Sequence, residues 1–128
     1  MSTKEQVENA VKWIDGLPSL PQAPKGQRGE LGNMEDGFCC LGAGCYLTDT
    51  PYNPSGLVSD SFTERVGLLC PNGYFQSFSF YGFDTLTEVN DGTNAGFKRI
   101  ARLLRTKPEW MFEPKVAKGI REHYEKTN

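Results

Sequence analysis

The sequence is poor in histidine: His123 is the only one among 128 residues, beside four cysteines. A zinc site would therefore rest on thiolates, and their spacing is wrong for one. Cys39 and Cys40 are adjacent and point to different sides of any regular element, Cys45 lies five further on, Cys70 sits in another segment, and no C-x-x-C pair occurs. The cysteines read instead as core thiols in a reducing compartment. His123 lies on a polar terminal helix among acidic neighbours, where a solvated or partly packed ring is expected. Also missing are G-x-G-x-x-G, G-x-x-x-x-G-K-[ST] and H-E-x-x-H. The glycines of Leu41–Cys45 stand in a stretch too apolar for a phosphate loop. Asp84, Glu88 and Asp91 supply carboxylates, but no nucleophile or orienting group joins them, and turn or cap roles suit them better. The sequence assigns no catalytic residue, no metal and no cofactor, and a non-enzyme is expected.

Long apolar runs are absent too. The longest, Phe38 to Leu47, has ten residues, against the ~20 that a membrane-spanning helix needs. Met1–Gln6 is polar and unlike a secretory signal. The one Asn-x-Ser/Thr triplet, Asn53-Pro54-Ser55, is disqualified by its proline. A cytoplasmic protein without membrane contact is expected. Neither charge sign dominates: 14 basic and 16 acidic side chains leave a formal −2. That balance excludes the global basic field of a general nucleic-acid binder, so any anion site is local. The length fits one domain.

Glycine, proline and aromatic rings are plentiful, with 14 Gly, 8 Pro, 8 Phe, 5 Tyr and 2 Trp, which implies many turns. Thr3 with Gln6 forms a capping box, and Val7, Ala10, Val11 and Ile14 recur at helical spacing before Gly16. Residues 17–37 hold Pro18, Pro21, Pro24 and four glycines and read as an extended proline/glycine-rich loop, long enough to be functional or mobile. Phe38–Leu47 has no polar position and no β-branched residue, so a central helix buried all round is expected. Phe62, Val66 and Leu69 share a weak helical face, closed by a turn at Cys70–Gly73. Tyr74–Phe83 is rich in strand formers and predicts a short aromatic ribbon. A basic helix follows over 94–107, with Phe97, Ile100, Ala101 and Leu104 inward. Pro108 ends it, and Pro114 opens a last helix with Val116, Ala117, Ile120 and Tyr124 inward. The predicted fold class is α+β, a mainly helical single domain over residues 1–128 with one aromatic-rich β-ribbon.

Two neighbouring features carry chemistry. Asn90-Asp91-Gly92-Thr93-Asn94 is a turn cluster whose side chains accept backbone N–H bonds at a helix start. Directly after it, Lys98, Arg99, Arg102 and Arg105, with Lys107 behind, place up to five positive charges within about three helical turns. No Asp or Glu lies between Asn94 and Lys107 to pair with them along the helix. Guanidinium forks beside stacking rings hold phosphates and bases. The expected ligand-binding set is therefore Lys98, Arg99, Arg102 and Arg105 for phosphate, Asn90 and Asp91 for ordering the turn or contacting base or ribose, and Phe78, Phe80, Tyr81 and Phe83 as stacking candidates.

Trp13, Phe38-Cys39-Cys40-Leu41-Gly42, and Leu86–Gly92 followed by Phe97-x-x-Ile100-Ala101 together resemble a group of small uncharacterised proteins encoded by tailed bacteriophages. These share a "CCLG" core motif and an "LND" turn before a helix. The likeness spans the larger part of the chain; Gly44, Tyr46 and the longer proline-rich loop depart from it. The resemblance implies a phage accessory product acting inside the host bacterial cell and transfers no catalytic residue. Small phage accessory proteins often work by stoichiometric binding, an analogy of context that favours a binder over an enzyme. The expected function is non-enzymatic capture of an anionic, nucleotide-like signal that counters host antiviral defence. Two alternatives stand beside it: a protein-binding inhibitor of a host defence enzyme, working through loop 17–37, and a nucleic-acid-binding regulator. Oligomeric state stays open, a homo-oligomer with a shared site included.

Overall fold

A computed structural model describes residues 1–23, 32–52, 60–69 and 96–127. These residues form five α-helices and one small sheet: α1 (Thr3–Gly16), β1 (Gly32–Asn33), β2 (Gly37–Phe38), α2 (Cys40–Leu47), α3 (Asp60–Val66), α4 (Phe97–Thr106) and α5 (Pro114–Thr127). Single 3-10 turns at Leu17–Ser19 and Pro108–Trp110 follow α1 and α4. The fold is helix-dominated, with one two-stranded antiparallel sheet among the described residues. The expected aromatic ribbon, residues 74–83, lies outside them, as do Asn90 and Asp91. No described helix is long and apolar enough to cross a membrane.

Helix α1 is the central element and packs against α3, α5, α2 and α4. It starts one residue earlier than the expected capping box: Ser2 is the N-cap, its Oγ accepting from Glu5 N at 3.2 Å. Both Ser2/Glu5 and Thr3/Gln6 have the required spacing. The first pair wins because Ser2 has the extended backbone of a cap, and Glu5 also puts an acid in the first turn. Ala10, Trp13, Ile14 and Leu17 form the buried stripe, at i, i+3, i+4 and i+7.

Trp13 sits at the middle of the core. Its ring meets Phe62 edge-on at 5.1 Å and Phe112 at 6.1 Å, and its indole N–H donates to the Cys40 carbonyl at 2.9 Å. Helix α2 reaches this ring because its packing face is nearly bare. A Cβ at Gly44 would overlap the Phe62 ring and stand 3.0 Å from Trp13 Nε1. The expected central helix is thus present, shortened at its start. Phe38 is in β2, and Cys39 is the N-cap, its Sγ accepting from Gly42 N at 3.3 Å. Tyr46 corrects the expectation of burial all round, being 47% exposed. At the far end of α2, Arg65 donates to the carbonyls of Thr48 and Asp49, at 3.3 and 3.2 Å, satisfying acceptors the helix leaves open.

The flanks of the expected 17–37 loop are ordered. Leu17 and Ala23 are buried, and Gln22 and Ala23 run alongside Phe38, with Ala23 N–H donating to Phe38 O at 3.0 Å. Asn33 closes the hairpin turn by accepting from Glu35 N and Asp36 N at 2.9 and 2.7 Å. Leu69 also departs from expectation. Helix α3 ends at Val66, Gly67 turns the chain at φ +71°, and Leu69 emerges 37% exposed while Leu68 is buried. Gly67 carries a testable consequence. Its backbone is left-handed, and an added Cβ would come within 2.5 Å of Val116. Gly67→Ala is expected to cost about 2 kcal/mol or more, from αL strain plus the displaced Val116, read as a lower urea midpoint.

Candidate functional site

Helix α4 separates its residues cleanly. Phe97, Ile100, Ala101, Leu103 and Leu104 are buried, and all four of its cations are exposed. The N-cap is Gly96, without a side-chain cap bond among the described residues, and the Asn90–Asn94 cluster lies outside them. The helix spans Phe97–Thr106, inside the expected 94–107. It packs on the Leu17–Ser19 turn, on α1 and on α5, which sets its outer stripe against the C-terminal end of α1. That end has no basic residue of its own in the last turn and carries the negative end of the helix dipole.

There Lys98, Arg102 and Arg105, at i, i+4 and i+7, line a groove of about 200 Å³ with Ile14, Asp15, Pro18 and Ala101. Apolar side chains make the floor, and three cations face one carboxylate. A second groove of about 330 Å³, lined by Arg105, Thr106, Arg121, Tyr124 and Glu125, adjoins the first through Arg105. Arg99 is exposed but does not line the first groove. Of the expected phosphate-binding set, Lys98, Arg102 and Arg105 line this groove and Arg99 does not. The cause is helical phase, since each residue turns the helix by about 100° and Arg99 is out of step with 98, 102 and 105.

The charges fall into two groups. Arg121 is fully engaged: Nε donates to Glu109 Oε2 at 2.9 Å, Nη2 to Thr106 O at 3.0 Å, and Nη2 also meets Glu109 Oε1. This bidentate pair holds the Glu109 carboxyl below its ordinary range and ties α5 to the end of α4. By contrast, no carboxylate among the described residues lies within ion-pair distance of Lys98, Arg102 or Arg105. Arg105 instead lies over the Tyr124 ring, 5.8 Å from its centroid. The Tyr124 hydroxyl donates to Asp15 Oδ1 at 2.7 Å, joining α5 to α1 beneath the groove.

Burial, and then the acceptor Asp15, push the Tyr124 phenol up from its ordinary value. An acid whose folded value is raised favours the fold while it stays protonated. The contribution is complete below the unfolded value near pH 10 and is lost as pH climbs through the higher folded value. The melting temperature of the wild type is expected to fall more steeply between pH 9 and 11 than that of Tyr124→Phe, and parallel curves would contradict this.

The other polar groups take packing positions. Burial above all, then the nearby Cys39, pushes the Cys45 thiol up to about 12, against the opposing charge of Arg65. Such a thiol is a poor nucleophile and a poor ligand. Cys39 and Cys40 are buried beside it, while Cys70 lies outside the described residues. The His123 ring meets Tyr124 edge-on at 4.9 Å. Of the expected stacking rings, Phe78, Phe80, Tyr81 and Phe83 all lie outside the described residues. Among the described residues Tyr124 is the ring that accompanies the basic stripe, at a position whose helical spacing marks it only as inward-facing core. Asp15 was missed as well, since nothing local marks a carboxylate whose partner is 109 residues away. Compared with known proteins, the chain matches no protein family, no curated protein and no solved structure, so the reading of its function rests on this groove.

Proposed function

We propose that this protein is a non-enzymatic binding module that captures a small anionic, nucleotide-like signal, as a phage accessory protein would to blunt host antiviral defence. One observation carries the reading. Lys98, Arg102 and Arg105 share a stripe on a rigid helix, line a groove with an apolar floor, and are left without carboxylate partners among the described residues. Arg121, one helix away, makes the contrast: where a cation serves the fold, it is locked into a bidentate pair.

In this reading Lys98 and Arg102 hold phosphate at the α1 end. Arg105, lying over the Tyr124 ring, offers a flat guanidinium face to a base that extends into the second groove. Charge-assisted hydrogen bonds contribute about 1.5–3 kcal/mol each. Two or three of them total about 3–9 kcal/mol before the cost of association, so a micromolar affinity, about −8 kcal/mol, also needs the base stacked on Arg105, worth about 1–3 kcal/mol. Isothermal titration with cyclic dinucleotides, linear nucleotides and cyclic ADP-ribose isomers tests the proposal. The expected result is saturable heat with at least one of them, weakening as salt rises; no heat with any, at protein concentrations about 50 times a micromolar Kd, overturns it.

A second reading, inhibition of a host defence enzyme by direct contact, draws on Met34 at the hairpin tip and Tyr46 on α2, 52% and 47% exposed. Large apolar side chains left in water favour a protein partner. Stoichiometric capture of one host protein, lost in Met34→Asp or Tyr46→Asp but kept in Arg102→Glu, would select this reading over the first.

A further inference from the structure

The carboxylate of Asp15 is out of character with the groove it lines. Every other charged side chain there is positive, while the α1 C-terminus adds the negative end of its dipole, and a site for bare phosphate gains nothing from an anion beside it, because like charges at such distances repel. Asp15 is also held in place. It is the penultimate residue of α1, and the Tyr124 hydroxyl fixes Oδ1 at 2.7 Å. A carboxylate has about four acceptor sites, so one bond from tyrosine leaves most of that capacity, including Oδ2, for a ligand. The floor around it, Ile14, Pro18 and Ala101, offers no competing polar group from its side chains.

We infer that Asp15 is the specificity-determining residue of this groove: it accepts hydrogen bonds from paired donors on the ligand while Lys98 and Arg102 hold the adjoining phosphate. The inference rests on the anion-capture reading above and narrows it, from any small anion to a nucleotide that carries paired donors besides its phosphate. Two parts of a nucleotide present that chemistry, the cis-diol of a ribose and the N1–H/N2–H edge of a guanine. Tyr124 acts as a positioning residue, holding the acceptor toward the groove and carrying Arg105 on its ring face.

Titration of wild type and Asp15→Asn with GMP and with inorganic phosphate tests this. The asparagine keeps an acceptor for the Tyr124 hydroxyl, and Asp15 is exposed, so the fold is retained. Wild type is expected to bind GMP about tenfold or more tightly than phosphate, because phosphate lacks the donors. Asp15→Asn is expected to lose that preference while binding phosphate at least as well as wild type, one negative charge having gone. Weaker binding of AMP than of GMP identifies the guanine edge as the donor, and weaker binding of dGMP identifies the ribose diol. Equal affinity of wild type for GMP and phosphate, or a GMP preference that survives in Asp15→Asn, overturns the inference and leaves anion capture standing. No binding of either probe also overturns the inference, whereas anion capture falls only if the cyclic nucleotides titrated above fail as well.

Discussion

Arg102→Glu is expected to abolish ligand capture while leaving the fold untouched. Arg102 is the middle cation of the stripe, one turn from Lys98 and from Arg105, and it lines the groove from an exposed position. The substitution removes a charge-assisted hydrogen bond to the ligand's phosphate and puts a second carboxylate opposite it, beside Asp15. Losing the bond costs about 1.5–3 kcal/mol and the repulsion adds to that, so affinity should fall by about 100-fold or more, at least roughly 2.7 kcal/mol. Stability should change by about 0.5 kcal/mol or less, because an exposed side chain without a partner has little to lose, and a glutamate there gains Lys98 and Arg105 as neighbours along the helix. The two effects are separable by titration calorimetry and thermal melting on one preparation. Unchanged affinity, or a collapse of the fold, would contradict the role given to this residue.

Trp13→Ala is expected to have the largest effect on stability. The side chain is fully buried, contacts Phe62 and Phe112 at near-perpendicular angles, and supplies the hydrogen bond to the Cys40 carbonyl. Removing a buried large aromatic costs about 3–5 kcal/mol through lost transfer free energy and the cavity left behind. Here the indole N–H bond to the Cys40 carbonyl is lost as well, worth about 0.5–1.5 kcal/mol more. Against a total stability of about 5–15 kcal/mol, this removes a large share or all of it. Trp13→Phe separates the two contributions, since it keeps a ring between Phe62 and Phe112 but removes the donor. Urea unfolding of the three proteins measures both, and a loss under about 2 kcal/mol for Trp13→Ala would show that α2 and α3 close over the gap.

The helices are legible where one apolar stripe faces one neighbour. Ala10 with Ile14, Ile100 with Leu104, and Val116 with Ile120 recur at helical spacing, and each pair is buried. Cys40–Leu47 was readable for a different reason: a run without polar or β-branched residues fits a short buried helix, and its glycines admit Trp13 and Phe62. Leu69 was misplaced because the periodic pattern runs on past Gly67, whereas the left-handed turn there rotates everything beyond it. The capping register at Ser2 is ambiguous in the sequence because two boxes lie one residue apart.

The groove was only half legible. A stripe at 98, 102 and 105 without acids along its own helix is a sequence property, and it survives folding as exposed charge with no carboxylate partner among the described residues. Arg99 belongs to the same run of charge but lies out of phase with this stripe. Asp15 and Tyr124 were unreadable as site residues, because their hydrogen bond joins opposite ends of the chain and neither has a local signature. The 3-10 turn at Leu17–Ser19 is what brings them into play, by seating the end of α1 against α4.

Amide chemical shifts of isotopically labelled protein, followed during titration with a guanine-containing cyclic dinucleotide, locate binding residue by residue. The account predicts saturable changes concentrated at residues 14–18 and 98–106 and at Tyr124, absent in Arg102→Glu. Changes centred on the hairpin at 32–38 and on α2, or no changes at ligand concentrations well above the micromolar range, would contradict it.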